Sequence, residues 1–297
     1  MTTKRSANDG IVSLDYPCKK FFRSRAHINP LSHNDAFDYP LKPDEMDWSL
    51  YFPYYAKDSI KNNKNKDNRF PLVNFVDVGC GFGGLTIALS TLFPDKITLG
   101  MEIRPKVCEF VKLRCEALRK DHENDETITI NDEKSNSSSS SNNIIKITKG
   151  SKYQNVSAYR TNCMRLLPHI FIKGQLEKMF FCFPDPHFKA KNHRRRVISD
   201  VLLTEYAYYL KEDGILYTIT DVKDLHEWHV KKCDAHPLFV RLNNDEMYSK
   251  DAAVRAMIEE TEEGKKVARN GGEKFYAIYR RIRDDEMPAP IINSIFE

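Results

Sequence analysis

Three groups of side chains in this sequence could do chemistry. Pro184-Asp185-Pro186-His187-Phe188-Lys189 puts a carboxylate, an imidazole and an aromatic ring in one segment, and its two prolines restrict the backbone around Asp185. Gly79-Cys80-Gly81-Phe82-Gly83-Gly84 has the spacing G-x-G-x-x-G, which lets a backbone pass close to a nucleotide-like ligand because glycine has no Cβ and tolerates positive φ. Glu102 lies about twenty residues further on, where a doubly wound fold sets an acid to accept hydrogen bonds from ribose hydroxyls. A glycine cluster alone is usually a turn, and a strand-end glutamate is usually solvated. The two in one strand context point to a cofactor site.

The surrounding pattern supplies the elements that must hold these groups. Phe75-Val76-Asp77-Val78 reads as a strand, and Leu85, Ile87, Ala88, Leu89 and Leu92 follow at helical spacing. Ile97-Thr98-Leu99-Gly100-Met101 is a second strand ending in Glu102, and 104–118 is its helix. The stretch 156–160 predicts a third strand ending in Thr161-Asn162-Cys163, where Asn162 either reads an adenine edge or caps a helix over 164–171. Phe180-Phe181-Cys182-Phe183 is wholly apolar, as a central parallel strand buried on both faces requires, and its end carries Asp185 to the topological switch point. A helix over 197–210, a strand over 215–220 and a helix over 225–230 complete the alternation. Strand 275–281 is expected to close the chain in a hairpin-like pair. His226 and His229 lack a third ligand, so they read as ordinary core or surface histidines and no metal site is expected.

At 297 residues, 41% hydrophobic and 30% charged, the chain can bury a substantial core, read as one α/β domain over 71–297. Residues 1–18 read as a disordered tail, 19–70 as a basic and proline-rich arm laid over the domain, and 121–143, with its Ser/Asn run, as a flexible insertion. There is no apolar run of membrane-spanning length and no signal-like start, so a soluble, non-secreted protein is expected. Seven scattered cysteines without a C-x-x-C pair fit core-filling thiols in a reducing compartment.

A net charge of +4 decides little, but its distribution does more. Lys19, Lys20, Arg23 and Arg25 interleave with Phe21 and Phe22 and lead to His27. His187, Lys189, Lys191, Arg194 and Arg195 form a second cluster directly after the acid loop. Cations beside aromatic rings suit an RNA backbone and its bases, although a basic run can also be a plain solvated face.

Two other classes compete. A short-chain dehydrogenase needs Tyr-x-x-x-Lys after the fourth strand, and the single match, Tyr16 to Lys20, precedes the first. A non-catalytic RNA-binding scaffold would have no need of the glycine turn, Glu102 and Asp185 together.

Six segments together resemble the tRNA (guanine-N7)-methyltransferases, in the eukaryotic form that works with a WD-repeat subunit. They are Arg23-Ser24-Arg25-Ala26-His27, the arm to Met46-Asp47-Trp48, 77–84, Glu102-Ile103-Arg104, 183–189 and Thr261-Glu262-Glu263-Gly264-Lys265-Lys266. The resemblance implies a class I, Rossmann-like fold with a seven-stranded, mostly parallel sheet and S-adenosylmethionine across the strand ends. It implies cofactor contacts from Gly79, Gly81, Glu102, Arg104, Asn162, Cys163, Cys182, Thr261 and Glu263, and catalytic roles for Asp185 and Glu263. Cys163 and Cys182 stand where the family often has alanine and leucine, which are small apolar exchanges. It further implies a guanosine of the tRNA variable loop as target, a WD-repeat partner and a nuclear location.

Overall fold

The computed structural model describes residues 16–25, 28–32, 36–55, 72–124, 126–133, 142–149 and 152–287, and for 126–133 and 142–149 the backbone alone. His27, the loop expected over 59–69 and most of the expected tail lie outside the described residues.

Among the described residues seven strands form one sheet, in the order β5-β2-β1-β6-β7-β9-β8. The strands are β1 Phe75–Val78, β2 Thr98–Glu102, β5 Val156–Arg160, β6 Leu176–Cys182, β7 Leu210–Thr220, β8 Phe239–Arg241 and β9 Phe275–Arg281. The first five in spatial order run parallel, and β9 enters antiparallel between β7 and β8. Helices α1 Gly84–Leu92, α2 Pro105–Asp121, α4 Asp200–Tyr209 and α5 Lys223–Asp234 cover the sheet, with a short α3 Cys163–Leu166 after β5. Three more helices, α6 Asn244–Lys250, α7 Ala252–Glu259 and α8 Glu262–Arg269, lie between β8 and β9. The expected hairpin-like ending is therefore corrected. The two antiparallel partners are distant in sequence, and the helices between them carry Thr261 and Glu263 to the strand ends.

The sheet is buried because its strands are apolar on both faces. Phe75, Val76, Phe180, Phe181, Leu216 and Tyr217 are each at most 1% exposed. Fully burying one such side chain stabilises the fold by about 1.5–3 kcal/mol. Lys178 and Asp251, largely buried, form a pair: Lys178 Nζ meets Asp251 Oδ2 at 2.6 Å, and Asp251 also accepts from Tyr217 Oη at 2.5 Å. That pairing fixes the start of α7 and so the run of chain that leads to Thr261.

Residues of the arm lie along the β5 side of the sheet. Trp48 and Phe52 enter the core on one face, at 6% and 0% exposure. Hydrogen bonds tie the arm's backbone down: Tyr159 Oη donates to Asp38 O at 2.5 Å and Arg119 Nη2 to Tyr51 O at 3.0 Å. Part of the stretch 121–143 read as a flexible insertion is described: the backbone of β3 Glu126–Glu133 pairs antiparallel with β4 Asn142–Lys149. Thr127-Ile128-Thr129-Ile130 paired with Ile145-Lys146-Ile147-Thr148 supplies the β-branched residues that favour a strand, and these outweigh the charged flanks.

Candidate active site

The site is built at the carboxyl ends of β1, β2, β5 and β6. The turn after β1 uses glycine three times in the left-handed region, Gly79 at φ 76°, Gly81 at 55° and Gly83 at 78°, which wraps the chain back towards β2. Gly84, the first residue of α1, is glycine for another reason. A Cβ there would lie 2.2 Å from Glu260 O and 2.9 Å from Glu262 Oε2, so the α7–α8 junction packs directly on the helix start.

Glu102 closes the turn from the other side. The residue is 3% exposed, and Oε2 accepts from Gly81 N at 3.1 Å and Arg104 Nη2 at 2.8 Å, while Oε1 accepts from Arg104 N at 2.9 Å and Arg104 Nε at 3.0 Å. A carboxylate offers about four acceptor positions, and here all four are filled. Burial works against the Arg104 charge, but the Glu102 carboxylate outweighs it and holds the guanidinium pKa above its ordinary value.

Two cavities meet at this turn. One, of about 210 Å³, runs between β2, β5 and the arm; Met101, Ile103, Cys163 and Met164 give it apolar walls, and Glu102 and Asn162 line it too. The other, of about 490 Å³, extends towards α8 and is lined by Asp77, Gly81, Asp221, Thr261, Glu262 and Glu263 among others. Gly79, Arg104, Cys182 and Asp185 belong to both.

Asp185 is held at this shared wall by a strained loop. Phe183 and His187, on either side of it, take φ values of 49° and 45°, a conformation that costs a side-chain-bearing residue about 1–2 kcal/mol each. Other contacts over-determine the loop. Phe183 N donates to Ile219 O at 2.8 Å, and the buried Arg196 donates from Nε to Pro186 O at 2.9 Å. His187 N donates to Asp185 Oδ1 at 3.4 Å, and His187 Nδ1 lies 3.8 Å from Asp185 Oδ2.

The structure brings the expected cofactor residues Gly79, Gly81, Glu102, Arg104, Asn162, Cys163, Cys182, Thr261 and Glu263 to these two cavities. Asn162 works as the cap of α3, Oδ1 accepting from Met164 N at 3.1 Å, and its Nδ2 donates to Pro30 O at 2.6 Å. The adenine-edge reading therefore competes with two bonds the side chain already makes. Thr261 caps α8, accepting from Gly264 N at 3.1 Å, and Glu263 pairs with Lys266 at 2.7 Å. Among the expected RNA contacts, His187 and Arg195 line the first cavity and the cleft beside it. Lys20, Arg23, Arg25, Lys189, Lys191 and Arg194 are exposed and line none of the described cavities.

Three residues not expected here take part. Arg196 locks the acid loop. Glu262 accepts from Gly84 N at 3.1 Å and from Lys19 Nζ at 3.1 Å, and lies 3.6 Å from Arg114 Nη1, so it joins α8, α1, α2 and the basic N-terminal segment. Asp77, 2% exposed, accepts from Thr86 Oγ1 at 2.7 Å through Oδ2, while its buried Oδ1 has no hydrogen-bond partner in the protein. An acid inside an apolar strand was the signal in the sequence. The helix phase that aims Glu262 at Gly84 left none.

Burial pushes the Asp77 pKa up to about 7; the Thr86 hydrogen bond opposes this, and the Glu262 and Glu102 charges add to it. The folded protein thus keeps a proton that the unfolded chain releases near pH 3.8. Stability from this group is full below that pH and is lost as pH rises towards about 7. Thermal melts of Asp77→Asn and the parent are therefore expected to diverge in the variant's favour from about pH 4 to about pH 7; a Tm difference that stays constant with pH refutes this.

A sheet of this strand order, with a glycine turn after β1, an acid at the end of β2 and a charged loop after β6, defines a class I methyltransferase. Residues 72–277 match the family model described as a putative methyltransferase. The chain is 46% identical over 279 residues to the tRNA (guanine-N7-)-methyltransferase of Schizosaccharomyces pombe, covering 94% of this chain and 90% of that one. It is 47% identical over 283 residues to the enzyme of the same name from Arabidopsis thaliana, covering 95% and 98%. Among solved structures, the 16S rRNA methyltransferase KamB aligns over 71% of this chain and 88% of its own, at 12% identity and a TM-score of 0.43. The chain belongs to the tRNA (guanine-N7-)-methyltransferase family.

Proposed function

We propose that this chain transfers a methyl group from S-adenosylmethionine to N7 of a guanosine in the tRNA variable loop, as the catalytic subunit of a nuclear heterodimer with a WD-repeat protein. The observation that carries the reading is the position of Asp185 on the wall common to both cavities.

The cofactor fits the residues on both sides of that wall. The narrower cavity offers apolar walls for an adenine and Glu102 at the ribose position. The wider one is lined by Asp77, whose buried Oδ1 has no partner in the protein and is an acceptor suited to the cofactor's ammonium. Bound there, S-adenosylmethionine supplies an electrophilic methyl on a sulfonium. Because Glu102 has no vacant acceptor position, seating a ribose requires Arg104 to give up its side-chain bonds to it.

Guanine N7 carries an exposed lone pair, so the protein need supply alignment more than a strong base. Asp185 and Glu263, both lining the wider cavity, accept hydrogen bonds from the guanine N1 and N2 donors. Adenine lacks that donor pair, and the two carboxylates offset the positive charge that methylation leaves on the base. A base stacked in folded tRNA must first be drawn out, and the exposed cations from Lys189 to Arg194 lie where they can hold the displaced backbone.

The test is to incubate the chain, with and without a WD-repeat partner, with methyl-labelled S-adenosylmethionine and unmodified tRNA, then to cleave with borohydride and aniline. One cut in the variable loop is expected. Label transfer without a cut moves the target atom elsewhere, and no transfer in any mixture overturns the reading. Size-exclusion chromatography of the mixed proteins tests the heterodimer, and separate elution refutes it.

A further inference from the structure

Beyond the two cavities a third hollow of about 340 Å³ lies between the acid loop and α5. Its α5 wall is one helix face, since Asp224, Glu227, Trp228 and Lys231 follow each other at helical spacing, while Leu225, His229 and Cys233 point into the core. Across from it lie His193, Arg196 and Phe188, the last a residue 72% exposed although it directly follows a rigid loop. The hollow is continuous with the active site at two places. Val222 lines both it and the wider cavity, and Phe188 also lines the cleft that contains Asp185 and His187.

The two aromatic walls differ in use. Trp228 is committed: its Nε1 donates to Ile198 O at 2.8 Å, and the Arg196 guanidinium lies 4.6 Å from its ring centre. Since Arg196 also bonds Pro186 O, this wall is fixed relative to Asp185. Phe188 is the open face. A hollow with an open aromatic ring, two exposed carboxylates and Lys231 on its rim matches a nucleotide, with the ring for the base, the carboxylates for its amino group and the cation for its phosphate.

We propose that this hollow is a subsite for the nucleotide next to the target guanosine, with its base stacked on Phe188 and an exocyclic amine read by Asp224 and Glu227. The inference rests on the function proposed above, because only a residue covalently joined to the target base has reason to lie across Val222 from the methyl-transfer cavity. Carboxylates only accept hydrogen bonds, and cytosine, adenine and guanine present an exocyclic amine where uracil presents a carbonyl and keeps only its ring N3–H as a donor, so the site favours the amine-bearing bases.

The test is steady-state methylation of tRNA by the parent, Phe188→Ala, Phe188→Trp and Asp224→Asn/Glu227→Gln, with the nucleotides on either side of the target changed one at a time to cytosine or uracil. Losing one stacked base is expected to raise the tRNA KM of Phe188→Ala roughly tenfold, with kcat and the S-adenosylmethionine KM little changed. Phe188→Trp restores the KM. The parent favours cytosine over uracil at one flank, and the double carboxamide variant loses that preference. Phe188 is exposed, so parent-like melting of its variants verifies folding. A parent-like KM for Phe188→Ala, a tryptophan variant as poor as alanine, or no flanking preference in the parent overturns the subsite. A parent that methylates no guanosine N7 overturns the function instead, so the two failures are distinct.

Discussion

Asp185→Ala is expected to lower kcat for tRNA methylation about 10²–10³-fold while leaving S-adenosylmethionine binding close to that of the parent. Asp185 is the carboxylate that reaches both cavities and the cleft beside them, with its side chain 26% exposed. The loop around it keeps two residues at positive φ. Such strain persists only where surrounding contacts enforce it, and here they hold one carboxylate where the cofactor and the base must meet. Because the prolines, Phe183 and Arg196 also hold the loop and the Asp185 bond to His187 N is long at 3.4 Å, the alanine variant is expected to keep the loop and lose the charge. Asp185→Asn separates the two contributions: it retains one acceptor oxygen and loses the charge that offsets a cationic product. It is expected to fall between alanine and parent. Single-turnover rates with saturating cofactor, together with calorimetric cofactor titration, measure both effects. An alanine variant with the parent's single-turnover rate removes Asp185 from the chemistry.

The second large effect belongs to Glu102. Glu102→Ala is expected to weaken S-adenosylmethionine binding by roughly 10²-fold or more, since hydrogen bonds to a charged acceptor are worth about 1.5–3 kcal/mol each and the proposed site has this one carboxylate accept from two ribose hydroxyls. The substitution also leaves Gly81 N and the Arg104 guanidinium without the acceptor they share. The turn therefore loosens as the ligand contact is lost. Glu102→Gln keeps an oxygen for Gly81 N but puts an amide against Arg104, and is expected to bind more weakly than the parent and better than alanine. Isothermal titration reads the affinities, and a Tm for each variant separates a loosened turn from an unfolded protein. Parent-like affinity in Glu102→Ala excludes Glu102 as the ribose acceptor.

The strand-turn-helix around Gly79, the acid at the end of β2 and the apolar run of β6 were legible because each is a local pattern: a glycine spacing, a strand-end carboxylate, a run buried on both faces. The ladder of Glu126–Glu133 with Asn142–Lys149 was obscured because composition averaged over the Ser/Asn run of the sequence hid the Ile and Thr residues on either side. Glu262 and Glu263 differ only in helix phase at the start of α8. Sequence gives no means of telling which one reaches Gly84 N across 178 positions and which pairs with Lys266 on its own helix. In the sequence Arg196 is one more cation directly after Arg194 and Arg195. Its burial against Trp228 and Pro186 O is a tertiary fact, set by the approach of α5 to the acid loop.

The antiparallel entry of β9 between β7 and β8 has a consequence for how the molecule is made. The parallel half of the sheet is complete once β7 has left the ribosome, yet from Ile215 to Thr220 that strand has no neighbour on its outer side until Phe275–Arg281 arrives. During synthesis the nascent domain thus carries an open strand edge, the surface on which chains pair wrongly with one another. Closing it requires contacts of large sequence separation, which form slowly. Because α6, α7 and α8 are looped between the two last-paired strands, Thr261, Glu262 and Glu263 reach the glycine turn only when β9 docks. The final strand therefore ends the aggregation-prone interval and completes the catalytic pocket in one event, and a nascent chain stalled before residue 275 has neither.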